Sequence, residues 1–464
     1  MLIRNLSAAV IVTCALISSG VERRFSHSAE VPDAPKALEP APGWVKERLA
    51  EVNKKLDGDM KGLVSLYQHL HSNPELSLME TKTAAHLAEE MRKLGYTVTE
   101  KVGGNGIVAV LKNGPGPVVL IRTDMDALPI VEQTGVPYAS KVKVKDKAGL
   151  EVGVMHACGH DIHMTCWVGT AGVLAAMKDK WSGTVVFIGQ PAEEVIAGAR
   201  MMLDDGLYKR FPKPDYALAL HSDPQTPVGT VAFSEGLSLA ASDTIDIIVK
   251  GKGGHGAAPH VTVDPIVLAA RIILDLQTIV SREVNPQDPC VITVGSIHGG
   301  TKHNIIPNEV LLQLTVRTTK NEVRDHVLKA IERMVKAAAV SARAPEPEMR
   351  VNLDHYTPAT FNDVALARKC AAVFRGVLGD ENVRTRRPVM GAEDFGRYSE
   401  GKTPIFMYFL GTISKEKFDA SEKPGGLPLP GMHTDAYAPL PEPSIRAGVR
   451  TMSLAAMNLM PKEK

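Results

Sequence analysis

Along most of this chain, apolar strand-like runs alternate with amphipathic helical patterns, and that alternation constrains the fold more than any other feature. MKGLVSLYQHLHSNPEL and ETKTAAHLAEEMRKLGY carry the helical spacing of apolar residues, the second closed by Gly95. GIVAVLKNG and VVLIRTDMDA read as strands, and the second is apolar enough for a parallel sheet buried on both faces. Residues 161–178 read as a helix, and TVVFIGQ and DYALALHS as further strands. Such a series predicts an α/β sheet covered by helices on both sides.

The pattern changes near residue 240. TIDIIVKGKG alternates strictly, as a half-exposed strand does. A helix (Asp264 to Ser281), the strands CVITVGSI and EVLLQLTVRT, a long helix (Asn321 to Ala344) and the strand EMRVNL follow. That order, βαββαβ, is the ferredoxin-like α+β sandwich. The α/β pattern then resumes with a helix (Asn362 to Leu378), the strand TPIFMYFLG and a helix (Ser444 to Leu459), and Ile413–Gly431 reads as a loop. The expected architecture is therefore a discontinuous α/β domain (44–239 and 354–464) with a mostly parallel central sheet. Residues 240–353 form an inserted lid or dimerisation domain.

The first thirty residues follow another logic. Arg4, an apolar run from Leu6 to Ile17, and the small residues Ser18, Ser19 and Gly20 have the layout of a cleaved signal peptide. An uncleaved anchor or an organellar transit peptide remains open. Residues 31–43, rich in Pro and Ala, read as a linker. The expected location is the periplasm or the exterior, with no membrane association after signal removal. With 53 basic and 52 acidic residues the chain has no charge excess that would speak for nucleic acid.

Chemistry concentrates in MHACGHDIHM, residues 155–164, which holds one thiol, three imidazoles and a carboxylate. Cys158 and His160 point the same way only on an extended segment. Asp161 is a candidate N-cap for the helix that follows. So placed, thiolate and imidazole suit zinc, manganese or a similar ion. Ordinary buried polar residues, a Cys–His nucleophile and a disulfide half are the alternatives. Other metal-compatible side chains fall at strand ends: Asp124 and Asp126 after VVLIRT, Glu193 and Glu194 after TVVFIGQ, and His221 in DYALALHS. Open α/β sheets place their sites at such ends. Paired carboxylates there can orient a ligating histidine.

RTDMDALP, HACGHDIHM, GQPAEE, LALH, GGHGAAPH, HNIIPNE, GAEDF and MHTDAY occur in this order over about residues 60–460. In this the chain resembles the amidohydrolase branch of the aminoacylase/carboxypeptidase G metallopeptidases, a branch that includes hippurate hydrolase, N-acetyl amino acid deacetylases and plant auxin-conjugate hydrolases. The resemblance implies two divalent ions per subunit, manganese or zinc, held by Cys158, His160, Glu194, His221 and His433. It implies Glu193 as the general base that activates water, and Asp126 as a support of the site. The wider family begins its first motif with His-x-Asp; here Asp124 takes that position, which argues against a standard dipeptidase. His255 in the Gly-rich loop is implied as the donor to the developing oxyanion, often reaching the partner subunit's site, so a homodimer is implied; His260 competes for that role. Asn304 and Arg317 are implied at the substrate, where an arginine suits a carboxylate. Glu393 and Asp394 fall in a family motif with no firm role beyond shaping the site. The implied activity is hydrolysis of a small-molecule N-acyl amino acid to a carboxylic acid and a free amino acid. A dipeptidase or carboxypeptidase on the same scaffold, a cysteine hydrolase, and a non-catalytic envelope metal- or solute-binding protein are the rivals.

Overall fold

The computed structural model describes residues 40–145, 149–400 and 402–462. The expected signal segment and most of the expected linker lie outside them. A central sheet of eight strands runs in the order Thr97–Val102, Gly106–Asn113, Gly183–Gln190, Val118–Asp124, Tyr216–Pro227, Ile405–Ile413, Val231–Phe233 and Val383–Thr385. The four central strands, Gly183–Gln190 to Ile405–Ile413, are mutually parallel, whereas Thr97–Val102 and Gly106–Asn113 pair antiparallel at one edge. Alternate side chains of each strand enter opposite cores. Ile121, Phe187, Leu218 and Tyr408 pack beneath the helices Val45–Ser72, His160–Ala176, Val364–Leu378 and Pro441–Leu459. Leu120, Ile188, Ala219 and Met407 face Met202, Leu207, Phe395 and Tyr398 on the other side.

His160–Ala176 is buried almost all round. It lies under both Val45–Ser72 and Pro441–Leu459, so the segment that starts it is fixed from every side. The insert is a second layered unit. Its antiparallel sheet has the order Cys290–Gly299, Glu309–Thr318, Ala241–Lys250, Glu348–Thr357. The helices Pro265–Thr278 and Asn321–Ala342 cover one face, and Ile245, Ile247, Leu312, Leu314, Leu268 and Ile331 fill the space between. Among the described residues, no helix is long and apolar enough to cross a membrane.

Several local expectations need correction. The first helix starts at Val45, well before the periodic stretch, because Val45, Val52 and Leu56 extend the buried stripe. Ile413–Gly431 is not all loop: Ser414 accepts from Lys417 N–H at 3.3 Å and caps the helix Lys415–Ser421. The strand that carries His221 runs on to Pro227. Asp161 does not cap the helix it was expected to cap. Gly159, left-handed at φ 79°, occupies the N-cap, and Asp161 turns inward.

There Asp161 meets His71, whose ring bridges Asp161 Oδ2 at 2.6 Å and Glu132 Oε1 at 3.0 Å. Burial alone would lower His71, but its bonds to Asp161 and Glu132 outweigh burial and lift it from 6.5 to about 10. A raised folded-state value gives stability that is complete below 6.5 and lost as pH rises through 10. His71→Leu strands two carboxylates and costs about 3–5 kcal/mol at pH 6. The deficit shrinks towards pH 10 in urea titrations; a gap independent of pH contradicts the pairing.

Candidate metal centre

The register of the parallel strands assembles the site. Asp124 pairs with Gln190, and Arg122 with Ala219, so the same register carried two residues further sets Asp124 level with His221. His221 in turn pairs with Phe409. The loop that leads into His160–Ala176 delivers Cys158 above this row, and Tyr437 and Ser222 pack against Gly159 closely enough to leave no room for a side chain. His433 N–H donates to Ala157 O at 2.9 Å, which brings its distant loop to the same place.

Five expected ligands converge here in overlapping groups. Donor atoms of Cys158, His160 and His221 lie within 4.8 Å of one another, as do those of Cys158, Glu194 and His433, and those of His160, Glu193 and Glu194. Two of the imidazoles are held by their far side. His160 Nδ1 donates to the backbone oxygen of Asp126 at 2.7 Å, and its Nε2, fully buried, has no hydrogen-bond partner. His221 Nδ1 donates to Ser222 O at 2.8 Å, which leaves Nε2 at 3.6 Å from Cys158 Sγ. His433 Nε2 lies 3.4 Å from Glu194 Oε2, and Glu194 Oε1 is buried without a partner. A buried imidazole nitrogen and a buried carboxylate oxygen, both unpaired and 3.8 Å apart, are costly unless something binds them.

Asp126 supports the site through its neighbours' backbone. Its Oδ1 accepts from Glu193 N–H at 3.1 Å and its Oδ2 from Glu194 N–H at 3.0 Å and Ser77 Oγ at 2.6 Å. Glu80, which sequence reasoning missed, does the same one residue earlier, accepting from Ala192 N–H at 2.8 Å. These bonds hold Ala192 at φ 53° and aim both glutamates into the centre. The only sign of Glu80 in the sequence was an acid near a helix start. His163 is not a free donor: Nδ1 gives to Asp124 Oδ1 at 2.7 Å and Nε2 accepts from Ser222 N–H at 2.7 Å.

The field at the site favours a cation. Arg122, buried, binds Asp124, Glu393 and Asp394, but Asp126, Glu193 and Glu194 add further buried carboxyls. Burial, and then the neighbouring Glu393 and Glu194, push Glu193 well above the carboxylate range. Burial lifts Glu194 to about 8. Burial opposes charge on His160, yet Asp124, Asp126 and Glu194 raise it to about 10. Divalent ions relieve this surplus, and thiolate, imidazole and carboxylate are donors that zinc and manganese accept. The same field disfavours a cysteine nucleophile. Such a thiol needs a lowered pKa, whereas burial, Glu194 and Glu193 push Cys158 well up. The disulfide alternative also fails, since Cys158, Cys166, Cys290 and Cys370 are all free.

Comparison with known proteins decides the family. Residues 120–424 match the model of peptidase family M20/M25/M40. The chain belongs to that family. Members of the M20 family hydrolyse amide bonds, and this chain is accordingly a hydrolase. It is similar to the hippurate hydrolase of Campylobacter jejuni, at 36% identity over 75% of this chain and 88% of that protein. It is also similar to thermostable carboxypeptidase 2 of Saccharolobus solfataricus, at 37% identity over 78% and 90%. Among solved structures, a Bacillus subtilis protein described as a dinuclear metal binding peptidase from the M20 family aligns at a TM-score of 0.70. Its identity is 30%, over 87% of this chain and 99% of that one.

The substrate residues expected in the insert do not meet within the chain. Arg317 lies at the end of Glu309–Thr318 nearest the central domain, paired with Ser242, and its buried Nη1 lacks a partner. His255 and Asn304 lie beyond the opposite end, where Gly256 N–H donates to Asn304 O at 2.8 Å. About eight residues of strand, roughly 27 Å, separate the two ends. His255 and His260 are both exposed. His255 Nδ1 accepts from Ala257 N–H at 3.0 Å, which makes Nε2 the nitrogen that donates.

Proposed function

We propose that the protein is a dinuclear metal amidohydrolase that splits N-acyl amino acids into a carboxylic acid and a free amino acid. The observation that carries this reading is a converging set of five donors with a sixth group, Glu193, left over beside it. Cys158, His160, Glu194, His221 and His433 hold the ions, manganese or zinc, and Asp126 fixes the glutamate backbone. When bound, the ions supply a Lewis acid that polarises the amide carbonyl and lowers the pKa of water to ~7.

The chain's own residues do the rest. Glu193 accepts a proton from the attacking water, since its carboxylate stands beside the donor set, 3.9 Å from His160 Nε2. The C–N bond breaks as Glu193 returns that proton to the leaving nitrogen. Arg317 receives the amino acid's α-carboxylate, consistent with its unpartnered Nη1. His255 Nε2–H donates to the carbonyl oxygen as negative charge grows there, a contribution of about 3 kcal/mol. Asn304, beside it, contacts the same end of the substrate.

The distance between His255 and Arg317 supports a homodimer in which each insert serves its partner's site. The exposed apolar residues Ile266, Val267 and Leu274 on Pro265–Thr278, next to the unpaired edge strand Cys290–Gly299, suit the seam. Mixing Glu193→Gln with His255→Ala subunits tests this: mixed dimers carry one intact site of two, so activity returns to about a quarter of wild type. No recovery contradicts service in trans.

A screen of hippurate and N-acetyl amino acids against free dipeptides, with manganese- or zinc-loaded enzyme, tests the substrate class. The carboxypeptidase name of the Saccharolobus relative favours one second reading, cleavage of C-terminal residues from peptides. Faster turnover of peptides than of acyl amino acids would establish it instead. The N-terminal segment we read as an export signal, tested by whether residues 1–30 are missing from the mature protein.

A further inference from the structure

Glu393 has no assigned task, yet the structure invests heavily in it. It is 2% exposed. Its Oε1 accepts from Arg122 Nη2 at 2.7 Å and from Phe395 N–H at 3.0 Å, so the side chain is pinned. Its Oε2 has no hydrogen-bond partner. Carboxylate oxygens of Glu193, Glu393 and Asp394 lie within 4.8 Å of one another. Asp394 is spoken for: it accepts from Gln190 Nε2 at 2.7 Å, from Arg122 at 3.2 Å and from Ala199 N–H at 2.9 Å. Of these two neighbours, Glu393 alone offers Glu193 a free oxygen; the other unpaired carboxylate oxygen nearby, on Glu194, belongs to the donor set read as holding the ions.

The backbone at the same position is tied elsewhere. Glu393 O lies 3.4 Å from Thr357 Oγ1 and 3.3 Å from Thr360 Oγ1, on the return from the insert. Two residues earlier, Gly391 O accepts from Ala240 N–H at 2.9 Å, on the way into it. Glu393 therefore stands between both connections to the insert and the carboxylate beside the metal ligands.

We propose that Glu393 is a positioning residue for Glu193, and that its free Oε2 receives the hydrogen bond of Glu193 while Glu193 carries the proton of the attacking water. A carboxylic acid hydroxyl in a buried site needs an acceptor, and a separation of this size is closed by a side-chain rotation or one bridging water. The bond keeps the proton aimed at the leaving nitrogen. Glu393 itself gains and loses no proton over the cycle: the proton passes from water to Glu193 and from Glu193 to the amine.

The proposal rests on Glu193 being the base, and its test separates the two claims. In metal-loaded enzyme with hippurate as substrate, Glu393→Gln keeps the Arg122 contact but replaces the free acceptor with a donor. It lowers kcat by ~10–100-fold and leaves KM within about threefold, because the bond forms only after the proton moves. Metal content stays at the wild-type level. In the Glu193→Gln background, calorimetric affinity for hippurate is the same with and without Glu393→Gln. Should Glu393→Gln fail to fold, Glu393→Asp keeps charge and shortens the arm, and the same selective fall in kcat is expected. Wild-type kcat in either folded variant overturns the proposal. So does a rise in KM alone, a loss that tracks metal content, or failure of both variants to fold. Full turnover by Glu393→Gln beside an inactive Glu193→Gln sinks only this inference; full turnover by Glu193→Gln sinks the base itself.

Discussion

Glu193→Gln leaves fold and metal content intact and lowers kcat by at least about 10³-fold, within the range that a positioned general base supplies. The amide is the size of the carboxylate but cannot accept a proton. Nothing in the main-chain framework depends on the Glu193 side chain, because Asp126 holds that residue by its N–H. Its carboxylate lies 3.9 Å from His160 Nε2, close enough to reach water at the centre. Steady-state rates on hippurate, with elemental analysis of the same preparation, make the measurement. A near-wild-type rate would remove Glu193 from the chemistry and leave the site without a base.

Cys158→Ser has the second large effect, on metal rather than on the proton. Donor atoms of Cys158 belong to two of the overlapping groups, one with His160 and His221 and one with Glu194 and His433, so one substitution weakens both. A serine hydroxyl does not ionise near neutral pH and is a poor match for the ions a thiolate holds. Loss of supporting partners alone weakens metal sites by about 10–100-fold, and loss of a ligand exceeds that. The variant elutes from a desalting column with less metal per chain and recovers part of its rate only in excess metal. The fold survives, since Cys158 forms no disulfide. Unchanged metal content would return Cys158 to a packing role.

The broad organisation was legible because it rests on periodicity. The switch from apolar runs to strict alternation near residue 240 coincides with Ala241–Lys250, the first strand of a separate antiparallel sheet. Candidate ligand types stood out because few residue types hold metal, but of the five only Glu194 follows a strand end, while His221 lies within its strand and Cys158 and His160 lie at a helix start. What the sequence hid was of another kind. Gly159 takes the N-cap and Asp161 falls inside the first turn, where its carboxylate is shared between Ile162 N–H and His71, a partner distant in sequence. Glu80 grips Ala192 across 112 positions, and no local pattern reports such a bond. Asn304 and Arg317 lie thirteen positions apart yet at opposite ends of the insert, because an extended strand converts sequence separation into length.

The ions themselves give the most direct test. Crystals of Glu193→Gln grown with manganese, measured at its absorption edge, should show two anomalous peaks per chain. Cys158, His160, Glu194, His221 and His433 should surround them, with residue 193 alongside but unbonded. One peak, peaks away from these five side chains, or none after manganese loading would contradict the account.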